Sequence, residues 1–136
     1  MSVIEAEARR WLAYALSDLD AAQALLERPD SFPRQACFLA QQAAEKALKA
    51  GLAFAEIPIP RSHDLDALRN LFPAEWATKS RHPDLASPSI WAVEARYPGD
   101  APEAIAADAD ASAWQAKAVW ESVRSDLAAR GLKLSD

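Results

Sequence analysis

Three polar clusters hold the side chains of this chain that could do chemistry. The first is Gln41-Gln42-Ala43-Ala44-Glu45-Lys46-Ala47-Leu48-Lys49. On a helix, Gln42, Glu45, Lys46 and Lys49 fall at three- and four-residue steps along one side. Two ammonium groups one turn apart could then meet a phosphate, with Gln42 as a hydrogen-bonding neighbour. The same spacing equally suits a solvated face with a routine Glu45–Lys49 ion pair. The second cluster is Arg61-Ser62-His63-Asp64-Leu65. Histidine titrates near neutrality, and a carboxylate beside it can orient the ring. The structural alternative makes Ser62 or Asp64 a helix N-cap, with His63 packed on a neighbouring helix. The third is Glu94-Ala95-Arg96-Tyr97-Pro98-Gly99. An arginine beside an aromatic ring before a proline turn makes an anion-binding or base-stacking corner. It also suits a simple helix end with Tyr97 half-buried.

Other chemistries find no support. There is no glycine-rich phosphate loop, nucleophile elbow or HExxH run. Two histidines and scattered acids show no metal-ligand spacing, and no cofactor is expected. The single cysteine, Cys37, sits among Ala36, Phe38 and Leu39. It can form no internal disulfide and reads as a buried small hydrophobe.

The elements that must position these clusters are helices. The chain has 136 residues, the size of one domain covering 1–136. Hydrophobic residues make up 51% and charged residues 26%, the balance of an ordinary globule. Glycine occurs only 3 times, and alanine supplies much of the apolar share, which favours helix. A net charge of −5 argues against broad coating of nucleic acid, though it leaves room for a local basic groove. No apolar run approaches the ~18 residues needed to span a bilayer. Met1-Ser2-Val3-Ile4-Glu5 lacks the apolar core of a secretion signal. A cytoplasmic protein is expected.

The first helix is expected over residues 2–28, with Ser2 and Glu5 as a capping box. Ile4, Ala8, Trp11, Ala15, Leu19, Ala22 and Leu26 form its inward stripe, and Pro29 ends it. The second runs from about 34 to 54. Its small-residue seam is Ala36, Ala40, Ala43, Ala47 and Gly51; Phe38, Leu39, Leu48 and Leu52 add bulk; Gln41, Gln42, Glu45, Lys46 and Lys49 form a polar face. Ile57-Pro58-Ile59-Pro60 is a stiff connector. Ser62 or Asp64 opens a short helix carrying Leu65, Leu68, Leu71 and Phe72. Residues 73–87 read as the least regular part, and a short helix follows near 88–96. The last helix spans about 103–130, with Ala109, Ala113, Ala116, Trp120, Val123 and Leu127 inward and Gly131 as its stop. Trp91 and Trp114 are left partly exposed. The fold class is all-α, a bundle of four to five helices whose short connections make sequential neighbours antiparallel.

Taken together and in this order, the clusters resemble the HEPN family. The run Ala36-Cys37-Phe38-Leu39-Ala40-Gln41-Gln42-Ala43-Ala44-Glu45-Lys46-Ala47-Leu48-Lys49-Ala50 is similar to the family's QQAAEKALKA core. Arg61-Ser62-His63-Asp64-Leu65 looks like its tHdL element and Arg96-Tyr97-Pro98-Gly99 like its RYP corner, while Trp11 and Asp18-Leu19 match its first helix. The likeness covers roughly residues 5–130. It implies an up-and-down helical bundle related to the substrate-binding domain of larger nucleotidyltransferases. It also implies a homodimer, and for many prokaryotic members a minimal nucleotidyltransferase encoded alongside. Some members are ribonucleases, including toxins of toxin–antitoxin pairs; others bind nucleotides.

The ribonuclease branch carries an arginine, then four to six residues, then histidine. At those distances His63 has Glu56, Ile57 and Pro58, and His82 has Glu75, Trp76 and Ala77. The leading expectation is therefore a binding module for a nucleotide, RNA or protein partner. Gln42, Lys46 and Lys49 face phosphate, Arg96 offers a bidentate guanidinium, Tyr97 stacks on a base, and His63 and Asp64 border the site. The alternatives are a metal-independent RNase toxin using His63, and a structural oligomerisation adaptor.

Overall fold

Ser2 accepts a hydrogen bond from the Glu5 amide at 3.1 Å and so starts the first helix of the bundle. The computed structural model describes residues 2–28, 32–85 and 104–134. These hold α1 (Val3–Leu26), α2 (Pro33–Phe54), α3 (Leu65–Asn70), α4 (Ala77–Arg81) and α5 (Ala106–Ala129). Among the described residues there is no strand, and no helix is long and apolar enough to cross a membrane. The helix expected near 88–96, Trp91 and the turn at 98–100 lie outside the described residues.

The start and stop signals act as their chemistry requires. Pro33 occupies the first turn of α2, where a missing amide proton is harmless. Asp108 accepts from the Ile105 amide at 2.9 Å at the start of α5. Gly131 ends α5 with φ 98, and the Leu132 amide closes back on the Leu127 carbonyl at 3.0 Å. α2 ends in the same way, but with Glu56 in the left-handed region at φ 59.

Helix α1 runs antiparallel to α2, since Lys46 reaches Asp18 while Leu25 and Leu26 pack beside Ala36 and Cys37. Cys37 and Ser112, both near the starts of their helices, meet at 3.9 Å, so α2 and α5 share a direction. The expectation of antiparallel sequential neighbours thus holds for α1 and α2. It does not extend to α2 and α5, because the chain between them carries α3 and α4 and returns before α5 begins. The core holds the whole alanine seam of α2 together with Leu48, Leu52, Leu65, Leu68, Phe72, Leu85, Val119, Val123 and Leu127. Each fully buried leucine of this set contributes about 1.5–3 kcal/mol relative to exposure. Cys37 is buried as expected. Burial raises its thiol pKa, the hydrogen bond from Ser112 opposes that, and the charge of Asp108 adds to the rise.

The expected stripes are buried at Ala8, Ala15, Leu19 and Ala22 of α1 and at Ala109, Ala113, Ala116, Val123 and Leu127 of α5, and depart from expectation at one tryptophan in each helix. Leu12 rather than Trp11 is buried on α1, and Val119 rather than Trp120 on α5, each tryptophan being half-buried at the edge. Trp114 is 78% exposed, as anticipated. Residues 73–87, expected to be irregular, contain α4 and the buried Trp76. Gln41 and Glu45, placed on a solvated face by spacing, are buried beneath the segment that leads into α3.

Gly51 is where backbone space decides packing. A Cβ there would lie 2.4 Å from Phe72 Cζ and 2.7 Å from Cε2. Phe72 is 2% exposed and stands edge-on to Trp76 at 5.6 Å, so the ring has little room to yield. Gly51→Ala gains up to about 1 kcal/mol of helix propensity, but overpacking costs about 1–3 kcal/mol. Net destabilisation in urea unfolding is expected, relieved in Gly51→Ala/Phe72→Leu. A stabilised single variant would show that the ring moves freely.

Candidate functional site

Glu45 organises the polar residues of α2. Its Oε1 lies 2.8 Å from His63 Nδ1 and 3.3 Å from Gln41 Nε2, and its Oε2 accepts from Lys49 Nζ at 2.8 Å. Gln41 Nε2 also reaches the His63 carbonyl at 3.3 Å, and Gln42 Nε2 donates to Gln41 Oε1 at 2.8 Å. Helix geometry explains the set: Gln41, Glu45 and Lys49 are successive i,i+4 neighbours. The Ile57–Pro60 connector then brings Arg61–Asp64 back across their side chains. Burial pushes the Glu45 carboxyl up, but hydrogen bonds from Lys49, His63 and Gln41, with the charge of Lys49, outweigh it. The group is held below its ordinary value of 4.5.

His63 remains 54% exposed at its side chain while its Nδ1 faces this buried carboxylate. An ionised carboxylate only accepts, so Nδ1 carries the proton and Nε2 is the basic nitrogen of the neutral ring. A carboxylate-oriented imidazole of this kind can hydrogen-bond a ligand or move a proton.

The predicted site residues fall into distinct positions. Gln42, Lys46, Lys49 and His63 share the polar edge of α2. Lys46 is tied to Asp18 of α1 at 2.6 Å, and Lys49 lies 5.8 Å from the centre of the Trp11 ring as well as on Glu45. Asp64 is the N-cap of α3, its Oδ1 accepting from the Ala67 amide at 3.1 Å, while Ser62 Oγ accepts from the Asp64 amide at 3.1 Å. Arg96 and Tyr97 lie outside the described residues. Spacing alone missed Gln41, Asp18 and the central role of Glu45. The Gln41–Glu45–Lys49 series was a visible signal; the Asp18 contact, between helices, was not. Among the described residues no group of three His, Cys, Asp or Glu side chains could hold a metal ion.

The second histidine serves the scaffold. His82 Nε2 is 2.9 Å from Ser122 Oγ, and the His82 carbonyl accepts from Arg69 at 2.6 Å. Burial first, then the charges of Arg81 and Arg69, hold its pKa below 6.5. The unfolded chain therefore takes the proton more readily, and stability falls as pH drops from about 6.5 toward the folded value. His82→Gln should flatten melting temperature against pH on the acid side of about 6.5, whereas an unchanged slope would assign that acid sensitivity elsewhere.

A family profile described as HEPN domain matches residues 8–126. Two solved structures are similar over nearly their whole lengths. TT1696 from Thermus thermophilus superposes with a TM-score of 0.73 at 26% identity, covering 88% of this chain and 98% of that one. ST0689, an archaeal HEPN homologue, gives a TM-score of 0.64 at 26% identity, covering 88% of this chain and 96% of that one. A search of curated proteins finds no significant match.

Proposed function

This chain belongs to the HEPN domain family, and from that premise we propose that it is a nucleotide- or RNA-binding module. It works as a homodimer beside a minimal nucleotidyltransferase in a two-component, toxin–antitoxin-like pair. The observation that carries the reading is the exposed His63 imidazole held at 2.8 Å by the buried Glu45 carboxylate. A ring fixed in tautomer and direction presents one hydrogen-bonding edge to a ligand at little entropic cost. Gln42 and Lys46 stand along the same helix edge, with Arg96 and Tyr97 added on their residue types and the family resemblance. Lys46 and Lys49 are each neutralised by an acid, so phosphate binding here requires Lys46 to exchange Asp18 for the ligand.

Thermal unfolding with and without millimolar AMP, ATP and GTP tests this. A ligand of the folded state alone raises the melting temperature by mass action. The rise should shrink in Lys46→Ala and in His63→Ala. No shift with any of the three nucleotides would defeat the nucleotide reading. Near-equimolar recovery of a small nucleotidyltransferase with the tagged protein from its host would support the two-component pair.

A second reading, an RNase toxin, is favoured by the same Glu45–His63 contact, because an oriented imidazole can act as general acid or base. It predicts growth arrest on expression alone and relief by His63→Ala.

A further inference from the structure

We propose that a cleft between α1 and α5 binds a small organic anion with an apolar body. The cleft has a volume of 880 Å3, within the range of small-molecule sites. It lies about half a turn around α1 from Trp11 and Asp18, which separates it from the His63 edge. Two arginines line it, Arg9 from α1 and Arg124 from α5, against one acid, Glu121. Among the described residues neither arginine forms an ion pair, whereas Lys46, Lys49, Arg69 and Arg130 each have one. On a chain of net charge −5, two unpaired guanidiniums in one cleft are a local positive feature.

Arg9 adds a sharper observation. Its Nε is buried with no hydrogen-bond partner. Such orphaned donors are uncommon and costly. A carboxylate or phosphate in the cleft would let the long side chain turn outward and give Nε and one Nη a bidentate acceptor. The rest of the wall suits an apolar body. Trp120 donates its indole N–H to the Leu12 carbonyl at 3.1 Å, which fixes the ring as one side. Leu16, 37% exposed, and Leu134 complete an apolar lining. Anion at the arginines and apolar group against Trp120 together define the ligand class.

The test uses the 15N-labelled full chain, following the Trp120 indole N–H and the Arg9 Nε–H. Phenyl phosphate or phenylacetate should shift both signals saturably, while benzyl alcohol, the uncharged analogue, should not. Whichever anion binds more tightly identifies the natural group as a phosphoester or a carboxylic acid. Arg124→Ala should weaken binding about tenfold or more, and His63→Ala should leave it unchanged, so this site and the nucleotide reading fail independently. Absence of saturation with both anions overturns the proposal. So does equal binding of benzyl alcohol, or normal binding in both Arg124→Ala and Arg9→Ala.

Discussion

Asp126→Ala is expected to lower the melting temperature by roughly 10–20 °C, equivalent to a loss of about 3–5 kcal/mol for a chain of this size. Asp126 is 5% exposed on α5. Its Oδ1 accepts from the Ala77 amide at 3.0 Å, and its Oδ2 from the Thr78 amide at 2.9 Å and the Thr78 hydroxyl at 2.6 Å. These amides open α4, whose N-cap position is Trp76, a residue with no acceptor to offer. The cap therefore comes from another helix. A five-residue helix has little stability of its own, so removing the carboxylate leaves buried donors unsatisfied and releases the segment. Arg130 compounds the loss. It contacts Asp126 Oδ1 at 3.5 Å while its guanidinium sits 4.5 Å from the centre of the Trp76 ring. Asp126→Asn keeps one acceptor and should fall between wild type and alanine. Thr78→Val removes only the hydroxyl and should cost about 1–3 kcal/mol. Calorimetry showing Asp126→Ala within two or three degrees of wild type would mean that α4 does not need this cap.

The same cap explains what the sequence hid. Long helices α1, α2 and α5 were legible because periodicity, Ser2 and Gly131 are local signals. Helix α4 was not, because its capping group comes from Asp126, 48 residues away from Thr78. The stripes of α1 and α5 were legible except at their tryptophans. The smaller Leu12 and Val119 fill the centre, while Trp120 sits at the rim, where its N–H reaches the Leu12 carbonyl. At the candidate site, chemistry-bearing residue types were legible but their partnerships were not. His63 followed by Asp64 suggested a carboxylate orienting the imidazole. The orienting carboxylate is instead Glu45, and Asp64 caps α3. Adjacent residues in an extended segment point in different directions, so the neighbour in sequence was the wrong candidate. Gln41 and Glu45 matched a solvated face by helical phase, yet the returning Arg61–Asp64 segment covers them.

Glu45→Ala is the second large effect, and it links stability to function. The substitution leaves the Lys49 ammonium, only 12% exposed, without its carboxylate and removes the acceptor for His63 and Gln41. Breaking a buried pair from one side costs about 3–5 kcal/mol. Lys49 keeps its contact with Trp11 and can reach toward water along its flexible stem, so about 2–4 kcal/mol is expected here. Glu45→Gln preserves shape and one acceptor and should cost less, while still depriving His63 of a negative partner. The pH dependence supplies the discriminating readout. Because the folded carboxyl is held below 4.5, its contribution is present above that value and is lost as pH falls through the lower folded value. The stability gap between wild type and Glu45→Gln should therefore be constant near neutrality and close on acidification below about pH 4.5. A gap that persists unchanged to the lowest pH at which the protein stays folded would show that packing, not charge, is what Glu45 provides. Should the gap close while Glu45→Gln also loses the nucleotide-induced rise in melting temperature, Glu45 is a positioning residue acting through His63. If Glu45→Gln binds nucleotide normally, the ligand does not need the negative charge of Glu45, and Lys46→Ala and His63→Ala decide whether the α2 edge is the site.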